Sequence, residues 1–144
     1  MSIHPKARLG FVAAAVGACL FVAVPALGVN RDGVWKGSTS QDRIIRFEVE
    51  GDLITAVKTS VFHEACNLVV LANQRNTAFA IDEDGAFTMR FFGGDNARDR
   101  LIVRGEFTSR QRARGTFRSI QDNPGCHDTA GGTWSVEKLP APVA

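Results

Sequence analysis

Between residues 44 and 139, apolar and polar side chains alternate in short runs, and turn-forming residues interrupt them every eight to twelve positions. Ile45, Phe47 and Val49 fall on one side of such a run, with Arg46, Glu48 and Glu50 on the other. A two-residue period of this kind belongs to a strand with one dry face and one wet face. Glu50-Gly51-Asp52 then turns the chain, and Leu53 to Thr59 runs back. Ala78 to Ile81 and Ala86 to Phe91, joined by Asp82-Glu83-Asp84-Gly85, read as a hairpin. Leu101 to Thr108 and Ala113 to Ile120 read as a second hairpin, and Thr133 to Leu139 as a final strand. The expected fold is all-β, a single antiparallel β-barrel or sandwich of about eight strands.

Three stretches fit this rhythm less well. Phe62, Cys66, Val69 and Val70 have helical spacing, but Val69-Val70 and the surrounding strands favour a strand over Asn67 to Leu71, with Cys66 at its edge. Asn73-Gln74-Arg75-Asn76 reads as a polar loop. Gln121 to Gly125 and Thr129 to Gly132 bracket Cys126 and read as one long loop.

The N-terminus carries a different signal. A short basic start with Lys6 and Arg8 precedes an uncharged apolar run from Leu9 to Gly28, ending in small residues. That order is a secretory signal peptide, residues 1–28, leaving a domain over 29–144 that is secreted or periplasmic. The run is also long enough for an uncleaved anchor, although Pro25 and several alanines weaken it as a membrane helix. Cys19 follows Val16-Gly17-Ala18, a loose lipidation pattern, but the residues after it are apolar where a lipoprotein has a polar tether. Cleavage near Val29 is the expectation, with membrane contact only through the signal segment.

Removing 28 of 144 residues leaves 116, enough for one domain with a real core. Lys6 and Arg8 leave with the signal, so 15 basic residues face 15 acidic ones and the net charge is near zero. This argues against a nucleic-acid partner. Locally the balance shifts: residues 90–118 hold eight arginines against Asp95, Asp99 and Glu106.

Without Cys19, only Cys66 and Cys126 remain, and an oxidising compartment favours a disulfide between them. Zinc is the rival, since His63 and His127 lie close to the two cysteines, but adjacent residues such as Cys126 and His127 tend to point apart. The disulfide would also draw His63 and His127 together, which could form a small polar site, though two solvated loop histidines are the simpler expectation. Asp82-Glu83-Asp84-Gly85 offers too few oxygen ligands for calcium and is explained by a tight turn.

Trp35 and Trp134 stand in glycine-rich strands at the two ends of the domain. In a closed antiparallel barrel the first and last strands pair, so these two are candidates for barrel closure. Taken together, Gly33 to Thr39, Cys66, Asp84 to Phe87, Gly105 to Phe107, Arg114 to Phe117, Cys126 and Gly131 to Trp134 resemble small secreted bacterial β-domains of uncharacterised function. The opening Gly33-x-Trp35 is also similar to that of lipocalins and avidins, a likeness that would imply an eight-stranded barrel with a ligand cavity.

No catalytic motif is present, so no enzymatic activity and no cofactor are expected. The surface lead is the second hairpin. Pairing Gly105 with Phe117 would set Arg104 beside Arg118 and Glu106 beside Thr116, with Arg114 nearby. Like charges opposed in a sheet repel, so either Glu106 bridges them or an anionic partner does. The chain is thus expected to be a monomeric, non-enzymatic binding domain of inhibitor or accessory type, whose partner is a protein or an anionic envelope component. The alternative is a small-ligand carrier of lipocalin or avidin type, which the bulky inward set (Phe47, Phe87, Phe91, Phe107, Phe117, Trp35 and Trp134) disfavours. Intact-mass measurement of the exported protein should show an end near Val29; a full-length mass, or a lipid on Cys19, would contradict this.

Overall fold

The computed structural model describes residues 28–93 and 98–143. Residues 1–27, with nearly all of the expected leader and Cys19, lie outside them. Eight strands follow in chain order: β1 Gly33–Thr39, β2 Ile44–Glu50, β3 Leu53–His63, β4 Leu68–Ala80, β5 Ala86–Phe92, β6 Arg100–Phe107, β7 Arg112–Asn123 and β8 Cys126–Lys138. A single 3-10 turn, Glu64–Cys66, links β3 to β4. All pairings are antiparallel, in the order β4-β3-β2-β1-β8-β7-β6-β5. The result is a nearly closed up-and-down barrel in which β1 joins β8 and the seam falls between β4 and β5. Among the described residues no helix is long and apolar enough to cross a membrane.

Several local expectations need correction. The hairpin expected from Ala78 to Phe91 exists only at its root: Ile81 bridges Phe87, and the Asp82 N–H donates to the Ala86 carbonyl at 3.0 Å. Gly85 turns the chain at φ 84°, and the Asp82 carboxylate accepts the Ala86 N–H at 2.7 Å. Beyond that turn β5 takes its ladder from β6, and β4 takes its ladder from β3. The expected loop over Asn73–Asn76 is instead part of β4, where Asn73 to Arg75 pair with Lys58 to Ala56. Their polarity is that of an edge strand exposed to solvent, not of a loop. Asn76, at φ 58°, marks a bulge where the register against Ile54 and Ala56 slips. The expected long loop around Cys126 contracts to Pro124-Gly125, because β7 continues to Asn123 and β8 begins at Cys126. The inward positions there are Cys126, Asp128, Ala130 and Gly132, none a large apolar residue, which hides a strand from a hydrophobic pattern.

Inside the barrel, one end is filled with rings. Trp35, Phe47, Phe87, Phe107 and Trp134 meet at centroid separations of 4.8 to 6.3 Å, several in edge-to-face geometry. Arg31 closes this end, with its guanidinium 5.4 Å from the Phe107 centroid, and its carbonyl accepts the Trp35 Nε1–H at 2.9 Å. Trp134 fits because Gly105 and Gly115 stand directly opposite each other on β6 and β7. A Cβ on Gly115 would overlap the Arg104 carbonyl and come within 2.7 Å of both the Gly105 Cα and the Trp134 Cζ2. Gly115→Ala should therefore destabilise the domain by about 1–3 kcal/mol, the cost of overpacking, in denaturant unfolding. Ser135→Ala on the outer face should stay within about 0.5 kcal/mol of wild type.

Candidate functional site

The other end of the barrel is polar. Cys66 and Cys126 form a disulfide with Cα atoms 5.6 Å apart, closing 60 residues of sequence. In the chain-entropy account such a loop contributes up to about 4 kcal/mol. With both thiols consumed by this bond, neither serves as a zinc thiolate, and among the described residues no cluster of three or more His, Cys, Asp and Glu forms a metal group. The histidines are not drawn into one site either, which corrects that expectation. His63 points inward and is wholly buried, whereas the His127 side chain is 71% exposed and contacts Asp122 at 2.9 Å. The cause is strand parity: Asp128 and Cys126 face into the barrel and His127 faces out.

Parity also creates an arrangement that chain neighbours could not reveal. His63 Nδ1 lies 3.2 Å from Asp128 Oδ2, and its Nε2 lies 2.8 Å from Ser119 Oγ. A carboxylate only accepts, so Nδ1 carries the hydrogen toward Asp128, and in a neutral ring Nε2 accepts from the Ser119 hydroxyl. The connectivity is that of a Ser-His-Asp triad, but Ser119 and His63 both have 0% exposure. A nucleophile must reach its substrate, and this hydroxyl is sealed. In this state the network acts as a buried polar bracket, satisfying three groups that would be costly unpaired. It runs parallel to the disulfide: both tie the β3 end to the start of β8, strands separated in the sheet by β2 and β1. The only sequence signal was that three polar residues of three strands all fell on inward positions.

The arginine face lies outside the wall. The expected register is wrong by two residues: Gly105 faces Gly115, so Arg104 faces Thr116, Glu106 faces Arg114, and Arg118 faces Ile102. The slip keeps every side chain on its face but changes its neighbours. Arg114 now pairs with Glu106 through two contacts of 3.3 Å, both groups being exposed. Arg104 and Arg118 have no ion-pair partner among the described residues. Arg90, opposite Ile102 on β5, joins the same face. Arg100 on β6 and Arg112 on β7 share it too, so six arginines face outward from β5, β6 and β7 with Glu106 and Asp122. Arg112 pairs with Glu137 on β8 at 3.4 Å, and the arginines next to Arg104 lie on diagonals of roughly 7–8 Å. Trp35 and Trp134, by contrast, are core residues of β1 and β8 and offer nothing to a ligand from outside.

No protein family, curated protein or solved structure matches the chain. The lipocalin and avidin likeness therefore rests on Gly33 and Trp35 alone. For the interior network, His63→Ala should cost at least about 2 kcal/mol by stranding Ser119 and Asp128, and Ser119→Ala about 1 kcal/mol, in urea unfolding. The native protein should resist a fluorophosphonate probe; labelling at Ser119 would show that the network opens to solvent.

Proposed function

We propose that this is a non-enzymatic, extracytoplasmic binding domain. In this reading the barrel is a rigid scaffold, and the outer face of β5, β6 and β7 holds a protein or an anionic envelope component. The observation that supports it most is the charge on that face: Arg90, Arg100, Arg104, Arg112, Arg114 and Arg118 against Glu106 and Asp122, in a domain whose net charge is near zero. Among the described residues, only Arg112 and Arg114 of the six are in ion pairs. Arginine presents a planar fork suited to carboxylates and phosphates. The disulfide is consistent with an extracytoplasmic setting. The ring-filled interior weighs against a carrier, since the space a small ligand would need is occupied by Phe47, Phe87, Phe107 and the two tryptophans.

Arg104→Ala combined with Arg118→Ala should leave stability within about 0.5 kcal/mol, because both side chains are exposed. Association with the envelope fraction should weaken, and the difference should be largest at low salt, where screening is least. Unchanged association at every ionic strength would remove the arginine face from the function.

A further inference from the structure

An open groove of about 710 Å³ runs over the outer wall, across the strands and not along them. Its two banks follow from the register. One bank is the row Ser38, Ser135, Arg114 and Glu106, successive partners on β1, β8, β7 and β6. The other is Ser40, Thr133, Thr116 and Arg104, with the Thr133 N–H donating to the Ser40 hydroxyl at 3.1 Å. Between the banks the intervening residues point inward, so the floor over Gly115 and Gly105 is bare backbone above the Trp134 indole. From β1 to β5 the groove crosses four strand spacings, on the order of 19 Å. Hydroxyls hold the β1–β8 half and arginines the β6–β7 half.

We infer that this groove binds a linear, carboxylate-bearing glycan. The inference rests on the proposal that the outer face is the binding face, and it names the ligand. Three features select it. The backbone amides and carbonyls of β1, β8, β7 and β6 are already consumed in the sheet ladders, so a peptide laid across them gains no main-chain hydrogen bonds. Ala86 is the largest apolar side chain along the groove walls. The exposed Ile44 beside Ser38 and Phe92 beyond Arg90 are single side chains at its margins that form no continuous apolar strip for a bilayer, while Val69 and Leu71 lie on β4. What remains is a chain of donors and acceptors over a flat floor, ending in Arg104 without an ion-pair partner and Arg114 half-neutralised by Glu106. A polyol whose hydroxyls meet serines and threonines, and whose carboxylates meet arginines, matches that order.

The test is calorimetric titration of the exported protein with tetragalacturonate and an alginate tetramer, against neutral maltotetraose and phosphatidylglycerol vesicles. At least one acidic tetramer should bind tenfold or more tightly than maltotetraose. Thr116→Val with Ser135→Ala should weaken that binding at least fivefold with an unchanged melting curve, and Arg104→Ala should weaken it further. If the hydroxyl variant binds as wild type does, or if only the vesicles bind, the glycan inference fails while an anion-binding face stands. If neither acidic tetramers nor vesicles bind, the glycan inference fails and the proposed binding face is left with a protein partner, which the envelope-association assay of the Arg104→Ala, Arg118→Ala variant tests separately.

Discussion

The contact between the Trp134 ring and the paired glycines Gly105 and Gly115 governs more of this domain than its area suggests. The indole needs two opposed positions without side chains, and only one register of β6 against β7 provides them. Sliding that pairing by two residues would set Phe117 opposite Gly105, crowding the space the ring occupies. Because the inner contact sets the register, it also decides which outer residues meet: Arg114 finds Glu106, Arg104 finds Thr116, and Arg118 flanks Ile102. The chemistry of the outer wall is thus dictated from within.

Around that contact the barrel is held by different means at its two ends. At the ring-filled end, edge-to-face aromatic pairs add to simple burial. At the other end polar His63, Ser119 and Gln121 join Val61, Phe91 and Leu101 inside, and cross-links add to burial: the Cys66–Cys126 bond and the His63 bridge to Asp128 and Ser119. Both reach over β2 and β1 to join β3 to β8, so they brace the closed half of the wall. Among the described residues, the seam between β4 and β5 has no comparable tie beyond the Ile81–Phe87 bridge and the Phe79–Phe91 ring contact.

The alternation of Ile45, Phe47 and Val49 made the strands legible, because burial on one face imposes a period of two. Assigning Cys19 to the expected leader left only Cys66 and Cys126, which likewise made the disulfide legible. What escaped the sequence depended on neighbours distant in the chain. Asn73 to Arg75 look like a loop because an edge strand needs little apolar surface. Thr129 to Gly132 look like a loop because glycines there admit Phe117 and Ser40, with a Cβ on Gly132 meeting the Phe117 Cε1 at 2.9 Å. The Ser119–His63–Asp128 network joins residues 56 and 65 apart, which strand parity permits but no local spacing announces.

In the proposed reading, with rings and a polar network inside the barrel, recognition falls to the outside of the wall. There the crowding of arginines is slightly unfavourable to the fold itself, since neighbouring like charges on a sheet repel and the Arg114–Glu106 and Arg112–Glu137 pairs offset only part of this. A bound anion would relieve that repulsion in the folded state and find no such cluster in the unfolded chain. Binding at this face and stability of the barrel are therefore thermodynamically linked, with an anionic occupant raising the unfolding free energy in proportion to the logarithm of its concentration above Kd. Because strands in register set the spacing of the arginines, little ordering of the backbone remains to be done on binding, which favours affinity from few contacts.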